Sequence, residues 1–269
     1  RLISALILSI GIVSLIFLLP NNYLILFVLL LTCISLVEFL SLRLSTLLII
    51  LFISFSLILF YFSSLPSLNR TFISLSALTY LGLFFLIISF PVSKNFLQRN
   101  FIWITSGIAI HLGFFATLYF LISQDESVLK YFGMDIANRA TLLIIVLISV
   151  LMDSLAFFGG KKFGKSKLLQ SVSPNKTIEG FLIAMTFTPI IILLITSTLV
   201  EKNFYQFIII IIFASFVSVV GDAAISLFKR VVEVKDTSNL IPGHGGLLDR
   251  IDSHLAAIPI FIFTLLVLS

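Results

Sequence analysis

The sequence predicts an all-α, polytopic integral membrane protein with about nine transmembrane helices. Of its 269 residues, 59% are apolar and only 11% are charged, whereas soluble domains are about 45–50% apolar and about 25% charged. Phenylalanine alone contributes 29 residues. No water-soluble fold buries that much apolar surface, so the composition excludes a soluble enzyme, a disordered chain, a disulfide-rich secreted module and a nucleic-acid-binding domain. We therefore expect no nucleic-acid partner.

Long apolar segments justify the helix count. A membrane-spanning helix needs roughly 20 apolar residues, and these segments lack the alternating polarity of barrel strands. Short breaks rich in Pro, Asn and Ser, such as Pro20–Asn22, separate them. We interpret the first as a transmembrane helix and not as a removed signal peptide. The nine segments cover about residues 2–19, 23–42, 44–65, 71–91, 101–123, 140–160, 180–200, 204–228 and 252–269.

The basic residues predict the orientation of these helices. Lys and Arg concentrate on the cytoplasmic side of membrane proteins. With nine spans, 13 of the 17 Lys and Arg residues fall on the side of the N-terminus, and 4 fall on the other. We expect the N-terminus inside and the C-terminus outside, in the cell (inner) membrane. Residues 1–123 then form a scaffold of about five helices, and residues 124–269 form a catalytic region with cytoplasmic loops 161–179 and 229–251.

Acidic residues within the apolar segments indicate a polar cavity. A charge at the centre of a spanning helix costs roughly 2.5–3.5 kcal/mol. Glu38, Asp153 and Asp222 each lie four to seven residues before the predicted cytoplasmic end of a segment, and Asp252 begins the ninth. For Glu38 alone, pairing with a basic neighbour or reaching toward the interface is the favoured interpretation. His111, in the fifth segment, is interpreted as a core histidine.

The loop 229–251 has the composition of a phosphate site. Asp222, Ser226 and Lys229 are spaced i, i+4 and i+7, so they share one face of the helix that enters the loop. The glycine-rich stretch 242–246 can bring backbone N–H groups close to an anion. Asp249 and Asp252, spaced i and i+3, can point the same way. Carboxylates beside phosphate-binding groups indicate a divalent cation such as Mg²⁺.

The loop 161–179 adds a second polar element. It contains a run of four lysines and then the stretch Ser173–Gly180. Positive-inside topology and attraction to anionic lipid heads account for most of the lysine run. We expect Ser173–Thr177 to begin the seventh helix, whose N-terminus would point at an anion.

These motifs resemble the phosphatidate cytidylyltransferase family, also called CDP-diacylglycerol synthase. Ser226–Asp252 follows that family's C-terminal pattern throughout, and Asp153–Gly159 and Ser173–Gly180 resemble two further elements. The resemblance covers about residues 150–259. Two positions depart from the pattern: Ile225 replaces a frequent Glu, and Phe157 lacks the usual aromatic hydroxyl.

The resemblance implies that CTP and phosphatidic acid react to give CDP-diacylglycerol and pyrophosphate, with Mg²⁺ and, optionally, a second cation. Membrane lipids are expected partners, and a homodimer is expected from the resemblance alone. Expected metal ligands are Asp222 and Asp249, followed by Asp252 and Asp153. The expected catalytic set is Asp222, Lys229, Asp249, Arg250 and Asp252. Expected substrate-binding residues are Ser173, Lys176, Thr177, Glu179 (orienting Lys176), Ser226, Arg230, Lys235, Asp236, His244, Gly245 and Gly246.

Three alternatives remain open from the sequence. A CTP-dependent lipid kinase of the polyprenol type would release CDP and not pyrophosphate. A transporter of a phosphorylated metabolite would place its acids near the membrane midplane, often within repeats. A non-catalytic membrane scaffold is the third alternative.

Overall fold

The computed structural model describes residues 11, 13–241, 243 and 245–269. Most of the first expected span, residues 2–19, therefore lies outside the described residues. Within the described part, seven helices are long and apolar enough to cross a membrane. A further apolar helix, Thr46–Phe62, has 17 residues. The all-α, polytopic fold class is thus confirmed, while the count of nine and the orientation stay predictions.

The helices follow the apolar segments of the sequence closely. Pro66 occupies the first turn of its helix, where a missing N–H costs nothing because that group has no intrahelical partner. A 3₁₀ turn at Lys130–Phe132 lies in the connection between the fifth and sixth helices. The helices are α1 (Asn21–Ser41), α2 (Thr46–Phe62), α3 (Pro66–Ile88), α4 (Lys94–Leu97), α5 (Asn100–Ser123), α6 (Asn138–Phe163), α7 (Ile178–Thr196), α8 (Phe204–Val231) and α9 (Leu248–Leu268).

A small antiparallel hairpin interrupts the helical pattern and corrects one expectation. Strand β1 (Lys167–Leu169) pairs with β2 (Ser173–Thr177). The stretch Ser173–Thr177 was expected to begin the seventh helix, but it is a strand. Pro174 lacks an N–H and disfavours helical backbone at the residue before it, so extended backbone is favoured here. Helix α7 begins only at Ile178, where the Thr177 hydroxyl accepts a hydrogen bond from the Gly180 N–H at 3.2 Å.

Two of the apolar helices that carry an acidic residue extend further than the sequence suggested. Helix α6 continues to Phe163 and α8 to Val231. Asp153 and Asp222 therefore lie ten and nine residues before their helix ends, deeper than the expected four to seven. Basic residues occupy the last turn of both helices, Lys161 and Lys162 in α6 and Lys229 and Arg230 in α8. Cationic side chains there interact favourably with the negative end of the helix dipole, which explains why the charged positions do not end the helices.

The core forms where α1, α5, α8 and α9 meet. Phe39 of α1, Trp103 of α5 and Phe228 of α8 stack together, with ring centroids 4.8–5.4 Å apart. Helices α8 and α9 pack closely at Gly221, where an added Cβ would lie 2.6 Å from the Ala256 Cβ. This close packing places Asp222, the next residue, beside the first turns of α9.

Candidate active site

Three separate sequence motifs meet at one polar cavity of about 320 Å³. Helices α6, α7 and α8 and the β-hairpin form its walls. Asp153 and Asp222 are the acidic side chains among the described residues that line it. The described residues that line the cavity are Asp153, Ala156, Phe157, Leu168, Ser173, Asn175, Lys176, Thr177, Phe181, Val219 and Asp222.

Lys176 and Asp222 form an ion pair at this cavity. The Lys176 Nζ lies 2.5 Å from the Asp222 Oδ2, and the two side chains are 20% and 24% exposed. The Asp222 Oδ1 also accepts a hydrogen bond from the Ser226 hydroxyl at 3.3 Å. Burial lowers the pKa of Lys176, but the charge and hydrogen bond of Asp222 raise it by more, so its pKa lies above the ordinary value. Lys176 therefore remains a cation at neutral pH.

Asp153 and Asp252 lie beside this pair, on α6 and α9. Ser253 connects them: its hydroxyl donates to the Asp153 Oδ2 at 3.1 Å, and its N–H donates to the Asp252 Oδ1 at 2.8 Å. The sequence motifs on α6 and at the start of α9 are thereby brought into contact.

Lys229 and Asp249 form a second, more buried ion pair. The Lys229 Nζ lies 2.6 Å from the Asp249 Oδ1, and the side chains are 9% and 8% exposed. The Asp249 Oδ2 accepts hydrogen bonds from the Thr237 N–H at 2.8 Å, the Thr237 hydroxyl at 3.0 Å and the Gly246 N–H at 3.0 Å. Asp249 thus binds the loop before α9 to the end of α8. Asp249 and Asp252, which can point the same way, have different hydrogen-bond partners: Lys229 and the loop for Asp249, and the Ser253 N–H for Asp252.

The acidic residues differ in their suitability as metal ligands. Among the described residues, no three His, Cys, Asp or Glu side chains converge closely enough to hold a metal ion unaided. Mg²⁺ commonly takes only one or two carboxylates and completes its coordination with substrate phosphates and water. Asp153 and Asp222 fit that requirement, since both carboxylate residues line the cavity. The Asp222 oxygens contact Lys176 and Ser226 at the cavity itself. Asp249 is not among the described residues that line the cavity, and its oxygens contact Lys229 and the loop donors instead.

Glu179 has a different role from the one expected. Its carboxylate accepts hydrogen bonds from the N–H groups of Lys165 and Ser166 at 3.0 and 3.1 Å. The expectation that Glu179 orients Lys176 is therefore wrong. The reason is local. The N–H groups of Lys165 and Ser166 lie just before the hairpin, at hydrogen-bond distance from the Glu179 carboxylate in the first turn of α7.

The other predicted residues occupy varied positions. The Arg230 Nε donates to the Val172 carbonyl at 3.1 Å and so connects α8 to the hairpin. Lys235 and Asp236 are exposed, and Arg250 lies exposed in the first turn of α9. His244 lies outside the described residues.

Glu38 was interpreted wrongly from the sequence. Among the described residues its carboxylate contacts the loop before α9 and the first residue of that helix, and no basic side chain. Thr237, which was not singled out, joins the same network. The only sequence signal for Glu38 was its position near the end of an even-numbered span, as for Asp153 and Asp222. His111 is fully buried, with its Nδ1 2.7 Å from the Gly107 carbonyl, as a core histidine should be.

Comparison of the sequence with known proteins points to the same family as the motifs. The profile of the Cytidylyltransferase family matches residues 1–268. A phosphatidate cytidylyltransferase of Haemophilus influenzae is 38% identical over 194 residues, which are 70% of this chain and 66% of the relative. The enzyme of the same name from Bacillus subtilis is 40% identical over 123 residues, 44% of each chain. That of Pseudomonas aeruginosa is 41% identical over 123 residues, 44% of this chain and 45% of the relative.

The matched stretches thus span 44–66% of the length of these relatives. The family profile, in contrast, extends over nearly the whole sequence. The resemblance that the motifs indicated is confirmed, and the chain belongs to the Cytidylyltransferase family.

Proposed function

We propose that the protein transfers the cytidylyl group of CTP to phosphatidate, giving CDP-diacylglycerol and pyrophosphate. The observation that carries this proposal is a polar cavity, with a lysine cation and two carboxylates, that adjoins a series of apolar pockets between the helices. Both substrates are anionic, and one of them keeps its acyl chains in the bilayer. Family membership and the names of the relatives support the same reaction.

The apolar pockets suit a two-chain lipid. The polar cavity shares Leu168, Phe181 and Val219 with a neighbouring apolar pocket of about 250 Å³. That pocket shares Phe84 and Phe216 with a larger apolar groove of about 600 Å³. A lipid phosphate at the cavity could therefore extend its chains into the two apolar spaces without exposing them to water.

The reaction requires little covalent chemistry from the protein. An oxygen of the phosphatidate phosphate attacks the α-phosphorus of CTP, a new P–O bond forms, and the bond to the departing pyrophosphate breaks. Such transfers depend mainly on positioning and electrostatics. Lys176 is placed to exchange one contact with Asp222 for a contact with a substrate phosphate oxygen, which offsets negative charge. No nucleophilic Ser or Cys is needed.

We propose that Asp222 and Asp153 hold Mg²⁺, because both offer oxygen atoms at the cavity. When bound, the ion would neutralise charge on the substrate phosphates and the leaving pyrophosphate. Lys229, Asp249 and Gly245 would keep the loop before α9 in place, and Asp252 would lie behind the metal ligands. A homodimer is proposed from the family resemblance alone.

We also propose that the protein lies in the cell (inner) membrane with its site facing the cytoplasm. In support, 13 of the Lys and Arg residues fall on the side of the two polar loops and 4 on the other side. The test uses a Cys33→Ser background, which has no native thiol. Exposed positions Ser171, Asn239 and Lys202 are each changed to cysteine. In intact cells a membrane-impermeant maleimide should label only the cysteine at position 202. Labelling at 171 or 239 before permeabilisation would contradict the orientation.

Replacing Gly245 by alanine tests the loop before α9. Its φ of +81° is a conformation that other residues rarely adopt, and an added Cβ would lie 3.0 Å from the Asp249 Oδ2. The left-handed conformation alone costs roughly 1–2 kcal/mol. We expect the initial rate of CDP-diacylglycerol formation to fall about tenfold or more, which corresponds to ~1.4 kcal/mol.

The matched control is Gly82→Ala, on α3, where an added Cβ meets nothing within 4 Å. Its rate should equal that of the unmodified protein. If the two alanine variants have the same rate, the conformation of the Gly245 loop does not matter for turnover.

The direct test of the proposed function is a substrate comparison with purified protein in detergent micelles, CTP and Mg²⁺. Phosphatidate should yield CDP-diacylglycerol and one pyrophosphate per lipid product, whereas diacylglycerol should give nothing. Phosphorylation of diacylglycerol or a polyprenol with release of CDP would instead establish the lipid-kinase alternative.

A further inference from the structure

Glu38 is a buried carboxylate on the N-terminal half of the chain that contacts the loop before α9. It lies three residues before the end of α1 and is 5% exposed. Its Oε1 accepts hydrogen bonds from the Ser238 hydroxyl at 2.7 Å and the Leu247 N–H at 3.1 Å. Its Oε2 accepts from the Leu248 N–H at 2.7 Å, with the Thr237 hydroxyl 3.4 Å away. Both oxygens are thereby occupied by loop groups.

Glu38 supplies the cap that α9 lacks in its own sequence. Leu247, the residue before this helix, offers no capping side chain. The first N–H groups of a helix have no intrahelical acceptor and carry partial positive charge. Glu38 accepts two of them from a distant helix. Burying a carboxylate costs free energy unless such donors surround it. The position of Glu38 and the position of the loop before α9 therefore depend on each other.

The contacts of Glu38 continue directly to the Lys229–Asp249 pair. The Thr237 hydroxyl lies within reach of both carboxylates, 3.4 Å from Glu38 and 3.0 Å from Asp249. Successive N–H groups are divided between them: Gly246 donates to Asp249, and the next two donate to Glu38. A displacement of the Glu38 carboxylate would therefore move the donors that orient Asp249.

We propose that Glu38 is a positioning residue, which acts through Thr237 and the start of α9 to hold the Asp249–Lys229 pair in the geometry needed for turnover. The kinetic effect expected of Glu38 rests on the proposed function. It assigns a role in the reaction to a helix outside the motifs of the C-terminal half. Glu38 itself does not line the polar cavity that takes the substrates.

The first test compares Glu38→Gln with Glu38→Asp. Glutamine keeps the volume but turns one acceptor oxygen into an NH₂ group that faces N–H donors. Aspartate keeps the charge. We expect kcat to fall about 10- to 100-fold for Glu38→Gln, as small misplacements of reacting groups can cost 10²-fold. The KM for CTP should change less than about threefold, and Glu38→Asp should recover part of kcat.

The second test asks whether the effect passes through Thr237. Thr237→Val removes the hydroxyl that contacts both carboxylates. If Glu38 acts along this route, the double variant Glu38→Gln/Thr237→Val should be no slower than the slower single variant. Losses in kcat that multiply would overturn the proposed route, because independent effects add as free energies.

A structural control separates positioning from general stability. Asn69 is also buried, and its Nδ2 donates to the Ser63 and Ala116 carbonyls at 3.0 and 2.8 Å, away from the loop. Asn69→Ala should lower thermal stability but leave kcat per folded molecule unchanged. A kcat within twofold of the unmodified value for Glu38→Gln would overturn the proposal.

Hydrogen exchange supplies a measurement that does not depend on the reaction. Amide exchange in peptides covering residues 236–250 should accelerate in Glu38→Gln and remain unchanged in Asn69→Ala. Unchanged exchange in Glu38→Gln would refute the positioning role even if CDP-diacylglycerol formation were absent. Failure of the unmodified protein to form that product, with accelerated exchange in the variant, would refute the proposed function but not the contact.

Discussion

Replacing Asp222 by asparagine is expected to lower turnover of CTP and phosphatidate by about 10²- to 10³-fold, the range found for oriented electrostatic groups in active sites. Asparagine preserves the size of the side chain but removes the negative charge that pairs with Lys176 at 2.5 Å. It also removes one of the two carboxylates that we propose as Mg²⁺ ligands. Because both members of the pair are partly accessible to solvent, the fold should survive. Initial rates at saturating Mg²⁺ give the measurement.

The matched control is Asp125→Asn, at an exposed position in the connection between α5 and α6. It makes the same chemical change away from the cavity, and its rate should be that of the unmodified protein. Near-normal turnover of the Asp222 variant at saturating Mg²⁺ would contradict the assignment of Asp222.

Replacing Lys229 by methionine should reduce both stability and turnover. The change leaves Asp249 without its cation in a site where both side chains are less than one-tenth exposed. Breaking a buried ion pair on one side typically costs about 3–5 kcal/mol. We expect a clear drop in the midpoint of thermal unfolding in detergent, together with loss of CDP-diacylglycerol formation.

Lys94→Met provides the comparison, because the same change there removes a surface ion pair. The Lys94 Nζ lies 2.9 Å from the Glu233 Oε1, and these side chains are 35% and 79% exposed. Exposed pairs contribute about 0–1 kcal/mol, so stability should hardly change. The double variant Lys229→Met/Asp249→Asn should recover much of the stability but none of the turnover. Equal thermal midpoints for the two single lysine variants would contradict the prediction that the buried ion pair contributes more to stability than the surface pair.

Much of the site was predictable because intramembrane charges are costly. Asp153, Lys176 and Asp222 come from three separate segments, yet each was singled out from the sequence. A charge within or beside a spanning helix is retained only where partners or solvent compensate for it. Side chains of this kind therefore converge on one cavity, and the structure brings these three together.

The remaining features depended on tertiary contacts that a local pattern does not encode. The partners of Glu38 lie 199–210 residues away along the chain. Two of them are backbone N–H groups, which have no side-chain signature. The direction of Asp249 likewise depends on how the chain turns before α9. The β-hairpin is too short for periodicity to reveal, although Pro174 argued locally against a helix.

The position of the radiolabel transferred from CTP tests the proposed reaction most directly. Purified protein is incubated with phosphatidate, Mg²⁺ and CTP that carries ³²P on either the α- or the γ-phosphate, and label is measured in the lipid phase. Attack at the α-phosphorus predicts label in the lipid from α-labelled CTP only, with the γ-label recovered in pyrophosphate. Lipid labelled from γ-labelled CTP, or unlabelled in both cases, would contradict cytidylyl transfer.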